Sequence, residues 1–177
     1  GMTGERGPTG FTGPTGPQFG FATAQDLSEP GDNTRNFAVA AGRVAWLNNF
    51  ESDTSPDIQI IEVENSTLFQ IQTSGLYLIS YDTTWIAEDA SPDITLFQVN
   101  VGRSLFCTET AMRTGDRIAT TVIDMIENEQ SFYTASNATI KQLQDGECIA
   151  LVGRESDDSD GNEAELLLAT VTIERLE

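Results

Sequence analysis

The densest run of oxygen ligands in the sequence is Glu155-Ser156-Asp157-Asp158-Ser159-Asp160-Gly161-Asn162-Glu163. Calcium takes about six to eight such oxygens, so Asp157, Asp158, Asp160 and Glu163 are candidate ligands. Aligning Gly161 with the glycine of an EF-hand loop puts Ser156, Asp158 and Asp160 at ligand positions. The closing position then holds Leu167 rather than a glutamate, so the loop is not an EF-hand. A solvated hairpin loop is the plainer expectation. A calcium ion shared among three copies of the loop is the sharper one. Paired carboxylates can cleave glycosidic bonds, but with 28 acids close pairs arise by chance and nothing singles one out. Histidine is absent, which removes the commonest general base and the usual nitrogen ligand for zinc. No catalytic residue and no resident cofactor are expected, and the chain reads as a non-enzyme.

Two other groups could bind rather than catalyse. Trp46, Tyr77, Tyr81 and Trp85 fall on alternating strand positions, which points to core packing. A sugar-stacking platform is the minority reading. Asn65-Ser66-Thr67 and Asn137-Ala138-Thr139 match the N-glycosylation pattern, but both lie beside strands and read as coincidence. The two cysteines, Cys107 and Cys148, are too few for a four-sulfur metal site and leave the redox compartment open.

Charge excludes whole classes of partner. The formal net charge is −19, Lys141 is the sole lysine, and the arginines are scattered. Nucleic-acid binding needs clustered cations to displace counterions, and an anionic membrane surface would repel the chain. No apolar run is long enough to span a bilayer, and the N-terminus lacks the pattern of a secretory signal.

The elements that must carry these residues divide the sequence into three parts. In residues 1–18, glycine stands at 1, 4, 7, 10, 13 and 16. Only glycine fits the axis of three wound chains, so this strict period predicts a collagen-like stem. Proline fills three of the six second positions and no third position, so the stem should be weak alone. Residues 19–36 have the composition of a turn-rich neck, with Phe19 and Phe21 placed to pack three chains together. Residues 37–177 read as about ten short antiparallel strands in a jelly-roll sandwich. The clearest is Leu76–Trp85, which alternates Tyr77, Ile79, Tyr81, Thr83 and Trp85 against Leu76, Leu78 and Ser80. Ile94–Val101, Gly102 and Ser104–Thr110 read as a hairpin, and no helical stripe of ten residues is evident. Several strands, notably Leu76–Ile79 and Leu166–Ala169, are apolar on both faces, so the second face predicts a partner. A triple-helical stem makes that partner two further copies.

Ser74-Gly75-Leu76-Tyr77-Leu78-Ile79-Ser80-Tyr81 resembles the Gly-x-Tyr-x-Phe-x-Tyr strand of the complement and tumour-necrosis-factor jelly rolls. Leu143-Gln144-Asp145-Gly146-Glu147-Cys148-Ile149-Ala150-Leu151 is similar to their Leu-x-x-Gly-Asp-x-Val-x-Leu turn, with the Gly-Asp pair inverted. The ending Ala169–Leu176 and the Gly-Pro-Thr triplets resemble the bacillus collagen-like exosporium glycoproteins, the BclA family. The resemblance implies a homotrimeric head on a collagen-like stalk at a spore surface, anchored by other proteins on its N-terminal side. It also implies O-linked sugars on Thr9 and Thr15. An adhesin tip for a glycan or protein, or a phage fibre tip, shares the same features. In the strand order implied by the resemblance, one strand separates those bearing Cys107 and Cys148, so two buried free thiols are expected.

Overall fold

A computed structural model describes residues 20–26, 43–45, 47, 49–52, 56–88, 95–125, 132–155 and 163–177. The collagen-like stem and most of the neck lie outside these residues. The described residues form eleven strands and one short helix. In chain order they are β1 Phe21–Asp26, β2 Arg43–Val44, β3 Asn49–Ser52, β4 Ile58–Val63, β5 Ser66–Ile71 and β6 Gly75–Glu88. There follow β7 Thr95–Ser104, α1 Glu109–Thr114, β8 Asp116–Met125, β9 Phe132–Leu143, β10 Cys148–Glu155 and β11 Glu163–Arg175.

Two antiparallel sheets result. One runs β3-β1-β11-β6-β9; the other runs β4-β5-β10-β7-β8, with β2 added alongside β10. This is the jelly-roll sandwich that the alternating pattern predicted. The longest strands carry the strictest alternation. In β6, Tyr77, Ile79, Tyr81, Thr83 and Trp85 are all buried and pack with Phe97, Val99 and Val101 of β7 across the sandwich. The Trp85 and Phe97 rings lie 4.7 Å apart between centroids, an inclined contact that aromatic quadrupoles favour. The polar atoms of Thr83, Tyr81 and Trp85 in this core are satisfied, as burial demands. Trp85 Nε1 donates to Thr83 Oγ1 (2.7 Å), and Thr83 Oγ1 donates to the Ala135 carbonyl (2.8 Å). The Tyr81 hydroxyl crosses between sheets, donating to Val99 O (3.2 Å) and sharing a hydrogen bond with Thr121 Oγ1 (2.7 Å).

Three sequence expectations are corrected. Phe21–Asp26, assigned by composition to the neck, form β1 and pair with both β11 and β3. The expected hairpin at Gly102 does not exist: β7 runs through it with a register shift between Val101 and Gly102. Gly102 is there because α1 lies against it; a Cβ would collide with the Met112 carbonyl. The helix is too short to print a periodic stripe, but its cap is legible. Thr108 Oγ1 accepts from the Ala111 amide at 3.2 Å, and Gly115 N closes the last turn on Ala111 O at 2.8 Å.

The third correction concerns the cysteines. β7 and β10 are direct neighbours, with Ser104 opposite Cys148, so Cys107 lies three residues beyond that pairing. The chain turns back there, the Cα atoms stand 5.4 Å apart, and Cys107 and Cys148 form a disulfide. That separation lies within the range a disulfide spans. The free thiols were expected because an intervening strand was assumed, and none intervenes.

The bridge closes a chain segment with a sequence separation of 41 residues. Loss of that constraint on the unfolded chain should cost about 2–4 kcal/mol. Denaturant unfolding of Cys107→Ser/Cys148→Ser, or of the reduced protein, should show it. Equal stability with and without the bridge would contradict its structural role.

Candidate functional site

Because side chains alternate along a strand, the residues between the buried ones share the outer face of each sheet. On the five-stranded sheet the pairing aligns these residues in rows. Phe21, Glu174, Leu78 and Ile140 form one row across β1, β11, β6 and β9. Thr23, Thr172, Ser80 and Ala138 form the next, then Gln25, Thr170, Asp82 and Ser136. Further along, Leu168 stands beside Thr84 and Thr134. The face is thus apolar towards its ends and built of small or hydroxyl-bearing residues at its centre. Thr23 Oγ1 lies 3.1 Å from Thr172 Oγ1, so part of the hydroxyl layer is satisfied within the chain. A shallow depression of about 260 Å³ opens among Gln25, Asp82, Thr84, Leu168 and Thr170. Ile140 and Leu168 remain more than half exposed, and Phe132 at the end of β9 more so still.

The outer face of the other sheet is different. Val44 of β2, Leu68, Ala150, Val152, Cys148 and Met112 of α1 form a second buried cluster there. The chain covers the β5–β10 part of this face with its own β2 and α1, while Val122 of β8 stays 54% exposed. The six-stranded sheet is therefore partly covered on its outer side, and no element among the described residues lies over the outer face of the five-stranded sheet.

All strands near β1's start converge at one end of the sandwich. The Arg175 amide donates to the Gly20 carbonyl at 2.9 Å, which fixes where the chain enters β1. The Arg175 guanidinium pairs with the buried Asp57 carboxylate at 3.2 Å and also donates to the Ser74 and Glu177 carbonyls. Beside it the Tyr77 hydroxyl donates to Thr73 O at 2.5 Å. Burial, reinforced by the Asp57 carboxylate and opposed by Arg175, pushes the Tyr77 phenol up to about 12. Burial also raises Tyr81 above its ordinary value.

The sequence-predicted candidates fall as follows. Asp157, Asp158 and Asp160 lie outside the described residues, and Glu163 opens β11 at the end of the sandwich opposite Gly20. Among the described residues no group of three or more acids or cysteines gathers as a metal site. Thr9, Thr15 and Phe19 lie outside the described residues, whereas Phe21 sits on the outer face of β1, 40% exposed. Tyr77, Tyr81 and Trp85 are core, not a sugar platform; Trp46 lies outside the described residues. Asn137 is occupied by hydrogen bonds to Thr120 O and Ala138 N. Sequence reasoning missed α1 and the disulfide, while β2 falls within the strand expected over 37–47.

No family model matches the chain, and no curated protein matches its sequence. Among solved structures it is similar to Eiger TNF from S. frugiperda, with 11% identity and a TM-score of 0.59. The match covers 90% of this chain and 94% of that one. At this identity the likeness is one of fold: this chain has the jelly roll of the tumour-necrosis-factor type.

Tyr77 gives the base of the sandwich a pH signature. Its phenol ionises near 10 in the unfolded chain and near 12 in the folded one. The unfolded state therefore releases its proton first, and stability falls as pH rises from 10 towards 12. Tyr77→Phe should flatten that alkaline fall, at a cost of about 1 kcal/mol near neutrality for the lost hydrogen bond. Identical alkaline slopes in both proteins would contradict the assignment.

Proposed function

We propose that this chain is the homotrimeric head of a collagen-like surface filament, holding three stems in register, and that it is not an enzyme. The observation that carries the reading is the asymmetry between the two outer sheet faces. One is covered over β5 and β10 by β2 and α1, with Val122 the exposed apolar residue on its β8 side, while the other leaves Phe21, Ile140 and Leu168 exposed around the half-buried Leu78. Apolar surface gains about 25 cal/mol per Å² on leaving water, so such a face on an acid-rich exterior favours self-association. Obligate interfaces bury about 2,000 Å² or more. The small central residues allow close approach between copies.

The glycine period supplies the number of copies. A Gly-x-y stem is stable only as three wound chains, and the chain enters β1 at Gly20 beside the C-terminal strand. Three heads packed by their five-stranded faces would bring three such entry points to one end. Few imino acids in the stem make the head the element that imposes register. The fold likeness and the resemblance to the bacillus exosporium proteins support the same picture, with sugars on Thr9 and Thr15. The disulfide supports a position in an oxidising setting, such as an external surface, where bridges persist.

The decisive variant is Ile140→Glu, which places a charge on the proposed contact at a position already exposed in the single chain. It should leave the sandwich folded, reduce the mass from about three times the 19.2 kDa chain to one, and abolish the triple-helix circular-dichroism signal of residues 1–18. Val122→Glu, on β8 of the other sheet, should change neither. An Ile140→Glu protein that keeps both the mass and the triple-helix signal would refute the reading.

A further inference from the structure

A second surface feature lies off the five-stranded face and depends on neither the stem nor assembly. Between the ends of β7 and β8 and the β9–β10 turn is a groove of about 460 Å³, lined by Arg103, Leu105, Phe106, Asp116, Gln144 and Glu147. That volume falls within the size of small-ligand sites, about 300–1,000 Å³. Leu105 is 63% and Phe106 74% exposed, two adjacent large apolar side chains on one rim of the groove.

The groove is rigid. Glu147 is only 3% exposed, and both its carboxylate oxygens are used: Oε1 accepts from Arg103 Nε at 2.6 Å and Oε2 from the Gln144 amide at 3.0 Å. The Phe106 amide donates to Ser104 Oγ at 3.0 Å, and the next residue, Cys107, is tied to Cys148. Gly115 presses against the Arg103 carbonyl so closely that a Cβ could not fit. The exposed pair is therefore clamped in place rather than carried on a loose loop.

What the groove offers is specific. Among the described residues Arg103 bonds only through its Nε, so its two terminal amino groups remain as donors there. The Gln144 bond to Glu147 is made by its backbone amide, and the Gln144 side chain and the Asp116 carboxylate carry no hydrogen bond among the described residues. Arg103 and Asp116 are directly opposite each other across β7 and β8. Three planar polar groups with unused donors and acceptors thus border an exposed aromatic ring and a leucine. Charge narrows the ligand further. Glu147 and Asp116 outweigh Arg103, and the whole chain carries −19, so anions are disfavoured. The guanidinium at the centre disfavours cations. We propose that this groove binds a neutral saccharide, one apolar ring face lying on Phe106 and its hydroxyls bonded to Arg103, Asp116 and Gln144.

Saturation-transfer difference NMR on the full chain tests this, with the methyl glycosides of glucose, galactose, mannose and N-acetylglucosamine as probes. Citrate and spermidine serve as anionic and cationic comparisons. At least one neutral glycoside should receive transfer and neither charged probe should compete with it. Phe106→Ala and Gln144→Ala should each weaken binding by roughly fivefold or more, with unchanged thermal unfolding because both residues are exposed. Absence of transfer to every glycoside, preference for citrate or spermidine, or equal binding by wild type and Phe106→Ala would each overturn the proposal.

Discussion

A two-layer sandwich has four sheet faces and one core, and the core covers only two of them. In this chain the residues of β6, β11, β7 and β10 that meet in that core include Tyr77, Trp85, Ile173, Phe97 and Leu151. The two remaining faces receive different treatment. Behind β5 and β10, a two-residue strand and a six-residue helix close a second small core around Met112 and Cys148. Behind β11 and β6, the row of Phe21, half-buried Leu78 and Ile140 has no covering element among the described residues. In the proposed trimer, assembly and stem register depend on how that open face is satisfied.

The disulfide belongs to the covered side and shows how the helix is kept there. α1 is too short to be stable from its own hydrogen bonds. It is held by Met112 under its first turns, by the Thr108 cap, and by Cys107 immediately before that cap. The same bridge sets the position of Leu105 and Phe106, so one covalent contact serves both the partly covered face and the groove beside it. At this end of the molecule Arg175, Asp57 and Glu147 spend their charges in partly or wholly buried pairs. Removing one partner of such a pair strands a charge away from water, which costs more than the pair itself contributes. This explains why charged residues stand in a region otherwise governed by packing.

Much of this architecture was legible in the sequence. Strands with strict alternation, above all β6 and β11, declare themselves because burial of one face imposes period two. The Asp145-Gly146 turn was legible too, since Gly146 adopts a positive φ of 84° that glycine tolerates. What escaped was governed by tertiary contact. β1 reads as neck because Asp26 at its end and Ser28, Pro30, Gly31, Asp32 and Asn33 just beyond it have turn composition; pairing with β11 makes the strand. Gly102 reads as a turn, but it is a clearance for α1. The disulfide depends on which strands are neighbours, which no local pattern in the sequence specifies. The groove was invisible for the same reason, as its residues come from positions 103–116 and 144–147 and meet only once β7, β8 and β10 are in order.

The central claim is that the open sheet face of the head, and not the stem, holds the chains together. The most direct measurement is the mass in solution, by light scattering, of a chain beginning at Gly20, which keeps all of β1 and lacks the glycine repeat. The account predicts a stable species of about three times the chain mass at micromolar concentration. A monomer with an intact, cooperatively unfolding sandwich would contradict it.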